Sequence, residues 1–206
     1  METVWDGCRF DSARSVLLMI DMEKAFVEPG AALCIAGAKA SVPSCMRSVK
    51  WARACGIPVI WVKRLYAADG SDMEAPRREA LEKAGFHHVL APDSTGLNSI
   101  EEPEGLVRDP QEQVLIKPRY SAFFQTGLHE QLQKCGIDTV LLAGTTTPNC
   151  IRSSCYDAMS YNYRTVLLEK SCSSRSDSVQ RANMEDMEAA GAVICRGEAP
   201  LPPERA

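Results

Sequence analysis

Three reactive side chains occupy comparable places in the pattern of this chain: Asp21, Lys117 and Cys150. Asp21 stands near the end of the apolar run 15–22, and Lys117 closes the run 112–117. Cys150 follows the run 138–143 and the turn Gly144-Thr145-Thr146-Thr147-Pro148-Asn149. If these runs are strands of a parallel sheet, all three residues lie at strand carboxyl ends, where such sheets collect their ligands. Each alone has a plainer reading: Asp as a turn or cap residue, Lys as a solvated cation, Cys as a packed thiol. Cys150 has the best credentials. Thr147 as N-cap and Pro148 as the first helical residue put it in a helical first turn, where the dipole and backbone N–H groups lower a thiol pKa. On that ground Cys150 is expected to react with iodoacetamide before the other thiols. An acid, an ammonium and a thiol together support acyl transfer. The thiolate attacks a carbonyl, the carboxylate carries the proton to the leaving amine and later activates water, and the ammonium keeps the carboxylate ionised.

The elements that must position these groups alternate. Short β-branched apolar runs (15–22, 57–62, 112–117, 138–143, 164–168 and 192–195) are separated by amphipathic stretches (43–55, 128–135, 148–160 and 177–190). Continuous apolar strands between helices predict an α/β fold: a three-layer α/β/α sandwich around a doubly wound, mostly parallel six-stranded sheet. Pro43 fits the first turn of its helix. Residues 69–110, rich in Gly and Pro but containing a helix-like stretch at 74–84, form an irregular excursion long enough to be a functional lid. Residues 198–206 carry three Pro and read as a loose tail. No composition shift divides the chain, so one domain is expected over 1–206.

Composition excludes several classes. The 206 residues carry a formal charge of −4, which opposes a nucleic-acid partner. The longest apolar run, 31–36, is far below the roughly 20 residues of a membrane helix, and residues 1–14 lack the apolar region of a secretory signal. Neither G-x-G-x-x-G nor a P-loop occurs, so nucleotide binding has little support. Nine cysteines form no C-x-x-C, and the three His residues are not spaced with them as in a zinc site. Eight of the nine read as inert thiols in a reducing cytoplasm.

With these residues in view, the chain resembles the isochorismatase-like cysteine hydrolase family over about residues 15–195. The matching segments are Ile20-Asp21-Met22-Glu23-Lys24-Ala25-Phe26, with Glu23 where the family commonly has Gln, then Lys117-Pro118-Arg119-Tyr120-Ser121-Ala122-Phe123, and Gly144–Cys150 leading to Asp157-Ala158. The resemblance implies a catalytic Asp21, Lys117 and Cys150, and a non-proline cis peptide at Thr145–Thr146. It also implies an oxyanion hole from the backbone N–H groups of Thr146 and Cys150, and a homo-oligomer. The isochorismatases proper cleave a vinyl ether and lack the cysteine, so Cys150 points to amides or ureides. The metal-binding Asp-x-His of the nicotinamidase branch has no counterpart, since residues 63–73 contain Asp69 and Asp72 but no His. Neither metal nor cofactor is expected. The nucleophile turn is most similar to that of N-carbamoylsarcosine amidase-type amidohydrolases.

Four further residues are candidates for the substrate pocket by position. Phe26 and Tyr120 either line an apolar wall or pack internally. Arg64 and Arg175 each follow a strand and either clamp a substrate carboxylate or lie in solvent, with Arg175 preferred because it leaves a strand beside Cys150. The competing function is a non-catalytic thiol sensor or interaction protein on the same fold, which has no need of Lys117.

Overall fold

The structure, a computed structural model, describes residues 2–200. A hairpin of β1 (Glu2–Trp5) and β2 (Cys8–Asp11) precedes the main sheet. That sheet contains β3 (Ser15–Ile20), β4 (Val59–Arg64), β5 (Gln113–Lys117), β6 (Thr139–Thr145), β7 (Arg164–Ser173) and β8 (Val193–Cys195). Their spatial order is β5-β4-β3-β6-β7-β8, and every neighbouring pair is parallel. The helices are α1 (Lys24–Val27), α2 (Ala38–Ala54), α3 (Ala75–Lys83), α4 (Leu128–Lys134), α5 (Arg152–Ser160) and α6 (Asp177–Ala189).

Strand alternation builds two separate cores. Val16, Leu18, Ile20, Val140 and Leu142 point to one face and pack against Leu128 and Leu132 of α4, Cys155 and Ala158 of α5, and Met184 and Met187 of α6. Leu17, Met19, Leu141, Ala143 and Val166 point to the other face. There they meet Val42, Cys45, Val49 and Ala52 of α2 and the hairpin's Trp5 and Phe10. A strand apolar on both faces can be stable only between two helical layers, which is why these runs are continuous rather than alternating.

The excursion after β4 folds around a third core of Phe26, Tyr66, Leu81, Val89 and Leu90, with α3 over it. Lys63 fastens it to the sheet, donating to the Ile100 carbonyl at 2.6 Å and pairing with Glu102 at 2.8 Å. Several boundaries differ from the sequence reading. Helix α2 begins at Ala38, so Pro43 is interior and cannot supply the usual N–H to the Lys39 carbonyl. Strand β7 runs on through polar residues to Ser173, because its final residues pair with the Gly144–Thr145 end of β6. The β1–β2 hairpin has no counterpart in the sequence reading. Of the tail, residues 201–206 lie outside the described residues, but 198 and 199 are held. Ser44 donates to Glu198 at 2.8 Å, Arg47 donates to the Ala199 carbonyl, and Ala199 is buried. Among the described residues, no helix is long and apolar enough to cross a membrane.

Candidate active site

The central strands end level with one another. Ile20 lies opposite Gly144 in the β3–β6 register, and Arg64 lies opposite Lys117 in the β4–β5 register. Asp21, the first residue past β3, has φ +50°, a left-handed conformation that Asp tolerates better than most residues; its N–H still donates to the Val62 carbonyl at 2.9 Å. Lys117 starts two strands away from β3, about 10 Å in the plane of the sheet, and its long side chain reaches back across the end of β4. Lys117 Nζ lies 2.9 Å from Asp21 Oδ2, 3.1 Å from the Arg119 carbonyl and 3.6 Å from Cys150 Sγ. All three side chains are buried, Lys117 completely.

Cys150 sits in a π-helical turn, Thr147–Ile151, that runs directly into α5. Thr146, not Thr147, is its N-cap, with extended backbone. The Thr146 and Thr147 hydroxyls donate instead to the Ser173 carbonyl at 3.4 and 3.0 Å, tying the turn to the end of β7. The Thr145–Thr146 peptide is cis. Gly144 has φ +118°, and a Cβ there would lie 2.0 Å from the Ile20 carbonyl oxygen, so only glycine lets β6 pass this close to β3.

The electrostatics overturn one expectation. The Cys150 thiol is pushed up to about 12, first by burial and then by the Asp21 charge, against which Lys117 acts in the opposite direction. The turn's N-terminal position does not outweigh desolvation. Cys150 is therefore a protonated thiol at rest, and iodoacetamide is not expected to find it first. The Asp21 carboxylate has the Lys117 ammonium, 2.9 Å from its Oδ2, as its charged partner. Burial pulls the Lys117 ammonium down, but Asp21 and the sulfur outweigh it, so Lys117 is held charged.

Glu23, two residues past Asp21, is completely buried. Its Oε1 accepts from the Arg64 N–H at 2.7 Å, while Oε2 has no partner. Burial, then the Asp21 charge, raises its pKa well above the usual carboxyl value, so it sits beside the pair as a neutral acid.

Of the four pocket candidates, Arg64 is near enough to the triad to act on the Lys117 ammonium, and Tyr120 lies against Arg64. Arg64 is almost fully buried, paired with Glu74, and stacked at 5.0 and 5.6 Å from the ring centres of Tyr66 and Tyr120. Tyr120 is partly exposed beyond Lys117. Phe26 packs in the excursion's core with Leu81 and Leu90. Arg175 is exposed in the loop after β7. The folded excursion covers the end of β4 and buries Arg64, while Arg175 stays at the surface. Two neighbours of Arg64, Glu74 and Arg77, lie in or beside α3, where no sequence motif marks them. Among the described residues no three His, Cys, Asp or Glu side chains are grouped to hold a metal ion.

A parallel α/β sheet whose strand ends gather a buried carboxylate, ammonium and thiol defines a cysteine-hydrolase type of site on an isochorismatase-like fold. The isochorismatase domain family matches residues 15–199, and the chain belongs to that family. A relative from Arabidopsis thaliana, named "probable inactive nicotinamidase", is 36% identical over 181 residues, covering 86% of this chain and 89% of its own. The maleamate amidohydrolase of Pseudomonas putida is 33% identical over 208 residues, covering 95% and 90%. The crystal structure of an isochorismatase family protein from Desulfovibrio vulgaris superposes with a TM-score of 0.81 at 36% identity, covering 88% of this chain and 93% of that one.

Proposed function

We propose that the protein hydrolyses the C–N bond of a small amide, carbamoyl or ureide substrate through a thioester on Cys150. The observation that carries this is the single buried cluster in which Lys117 Nζ lies 2.9 Å from Asp21 and 3.6 Å from Cys150 Sγ. A thiol held near 12 needs a base at the moment of attack, and Asp21 is that base. Asp21 takes the thiol proton as sulfur bonds to the substrate carbonyl carbon. Backbone N–H groups of Thr146 and Cys150 receive the oxyanion. Asp21 then passes its proton to the departing nitrogen as the C–N bond breaks, leaving the thioester and free ammonia or amine. In the second half Asp21 takes a proton from water, hydroxide adds to the thioester, and the C–S bond breaks. The thiolate recovers the proton and the acid product leaves. Lys117 Nζ, 2.9 Å from Asp21 Oδ2, offsets the carboxylate charge beside the reacting atoms.

The kinship with a maleamate amidohydrolase supports amide chemistry. The Arabidopsis relative's name contains the word inactive, so the test spans many amides beyond nicotinamide. A redox-sensor role fits poorly with Cys150, since sensor thiols are exposed and of low pKa. The deciding experiment is ammonia release from a panel of small amides, carbamoyl amino acids and ureides, with Cys150→Ala as control. Turnover that is lost in Cys150→Ala supports the proposal, and turnover retained there refutes it. A wild type inactive on the whole panel, with reversible oxidation at Cys150 indifferent to Lys117→Ala, would favour the sensor.

A further inference from the structure

Away from the triad, the two ends of the described chain meet at a pair of cysteines. Asp6 and Gly7, at φ +50° and +77°, make the two-residue turn of the β1–β2 hairpin. That turn sets Trp5 directly opposite Cys8, so their side chains share a face. The hairpin is fastened to the end of β8. Trp5 Nε1 donates to the Gly197 carbonyl at 3.3 Å, and the Asp6 carboxylate accepts from the N–H groups of Arg196 and Gly197 at 2.6 and 2.9 Å. Trp5 also packs edge-on against Trp51 of α2, with 4.8 Å between ring centres.

These contacts hold Cys8 over Cys195. Cys195 is completely buried, and its thiol donates to the Trp5 carbonyl at 3.7 Å. Cys8 is half-buried and donates to the Asp6 carbonyl at 3.9 Å. The two thiols lie within hydrogen-bonding reach of each other, at the edge of one core. Burial first, and then the Cys8 thiol, raise the Cys195 thiol well above its ordinary value. Cys195 is therefore protonated at rest, and an incoming reagent meets Cys8 first.

We propose that Cys8 and Cys195 form a thiol–disulfide exchange site for a low-molecular-weight disulfide, ending in a reversible bond that ties the N-terminal hairpin to the last strand. Cys8 loses its proton to solvent, and its sulfur attacks one sulfur of the small disulfide. That S–S bond breaks, and the first small thiolate leaves and takes up a proton. Cys195 then bonds to the Cys8 sulfur as the mixed disulfide breaks, and its proton goes to the second departing thiolate. Two protein thiols are oxidised by two electrons, and one small disulfide is reduced to two thiols. The two environments suit the two stages: the more open sulfur takes up the reagent and the enclosed one resolves it. The bond closes a loop of nearly the whole chain, the case in which a cross-link restricts the unfolded state most. Cys150 takes no part, so the inference stands apart from the hydrolase reading.

The test exposes the folded full-length protein to oxidised glutathione, blocks the remaining thiols with N-ethylmaleimide, and maps the unreduced peptides by mass spectrometry. Wild type, Cys8→Ser and Cys195→Ala are compared, and each is melted before and after dithiothreitol. Wild type is expected to yield a Cys8–Cys195 linked peptide and a Tm higher by about 5–10 °C, both reversed by dithiothreitol. Cys195→Ala should instead accumulate glutathione on Cys8, and Cys8→Ser should leave Cys195 unmodified; neither variant should gain Tm on oxidation. A wild type without the linked peptide, or one that retains glutathione on Cys8 as Cys195→Ala does, overturns the inference. So does a linked protein whose Tm is unmoved. Should Cys195→Ala fail to fold, the linked peptide and the Tm of wild type against Cys8→Ser decide alone.

Discussion

Replacing Glu23 by Gln tests the electrostatic reading of the site without touching the reacting atoms. The native state holds a proton on this buried carboxyl well above its ordinary value of 4.5, first because of burial and second because of Asp21. The unfolded chain releases that proton near pH 4.5. Above that pH the folded state binds one proton more than the unfolded state, so the wild type loses about 1.4 kcal/mol of stability per pH unit from this group. The loss continues until the pH passes the raised native pKa. Gln cannot ionise, and its carbonyl oxygen can still accept from the Arg64 N–H. The two proteins should therefore be similar near pH 4.5. Above pH 4.5, and for as long as the pH stays below the raised native value, Glu23→Gln should gain up to about 1.4 kcal/mol on the wild type per pH unit. Urea unfolding at one-unit steps from pH 4.5 to 7.5, with midpoint and m-value both recorded, measures the difference directly. Glu23→Ala separates the charge from the hydrogen bond, since it orphans the Arg64 N–H and should cost about 1–3 kcal/mol relative to Glu23→Gln at every pH. Stability curves of wild type and Glu23→Gln that run parallel across this range would refute a neutral Glu23.

Three other outcomes follow from the same geometry. Lys117→Met should cost about 3–5 kcal/mol in urea unfolding because it strands the buried Asp21 charge, whereas Asp21→Asn/Lys117→Met should recover most of that loss yet remain inactive; a double variant as unstable as the summed singles contradicts the buried pair. Gly144→Ala should lose activity and about 2–6 kcal/mol, since its Cβ would meet the Ile20 carbonyl at 2.0 Å and the backbone holds φ +118°; a wild-type Tm would show that the strands part without strain. In a timed iodoacetamide reaction at pH 8 read by peptide mass spectrometry, exposed Cys135 should be modified well before Cys150, whose thiol stays protonated; Cys150 leading the series would mean an ion pair at rest.

What sequence alone determined is the layered architecture and the meeting of Asp21, Lys117 and Cys150. Both follow from local rules. Apolar runs long enough to be buried on both faces read as parallel strands, and a parallel sheet brings strand ends together whatever their separation in the chain. Glu23 was visible as a departure at a Gln position, but nothing local says that a carboxyl two residues from Asp21 stays neutral. Tertiary structure decided the rest, because desolvation depends on what the whole chain packs around a group. Cys150 at the head of a helical turn looked like a lowered thiol, and enclosure raised it. Arg64 and Arg175 were equivalent as residues following strands. The excursion's own core carried Glu74 and Arg77 onto the end of β4 and left Arg175 in solvent. Periodicity locates helix α3, but only its packing over Tyr66 and Tyr120 turns Arg77 from a surface charge into a neighbour of Arg64.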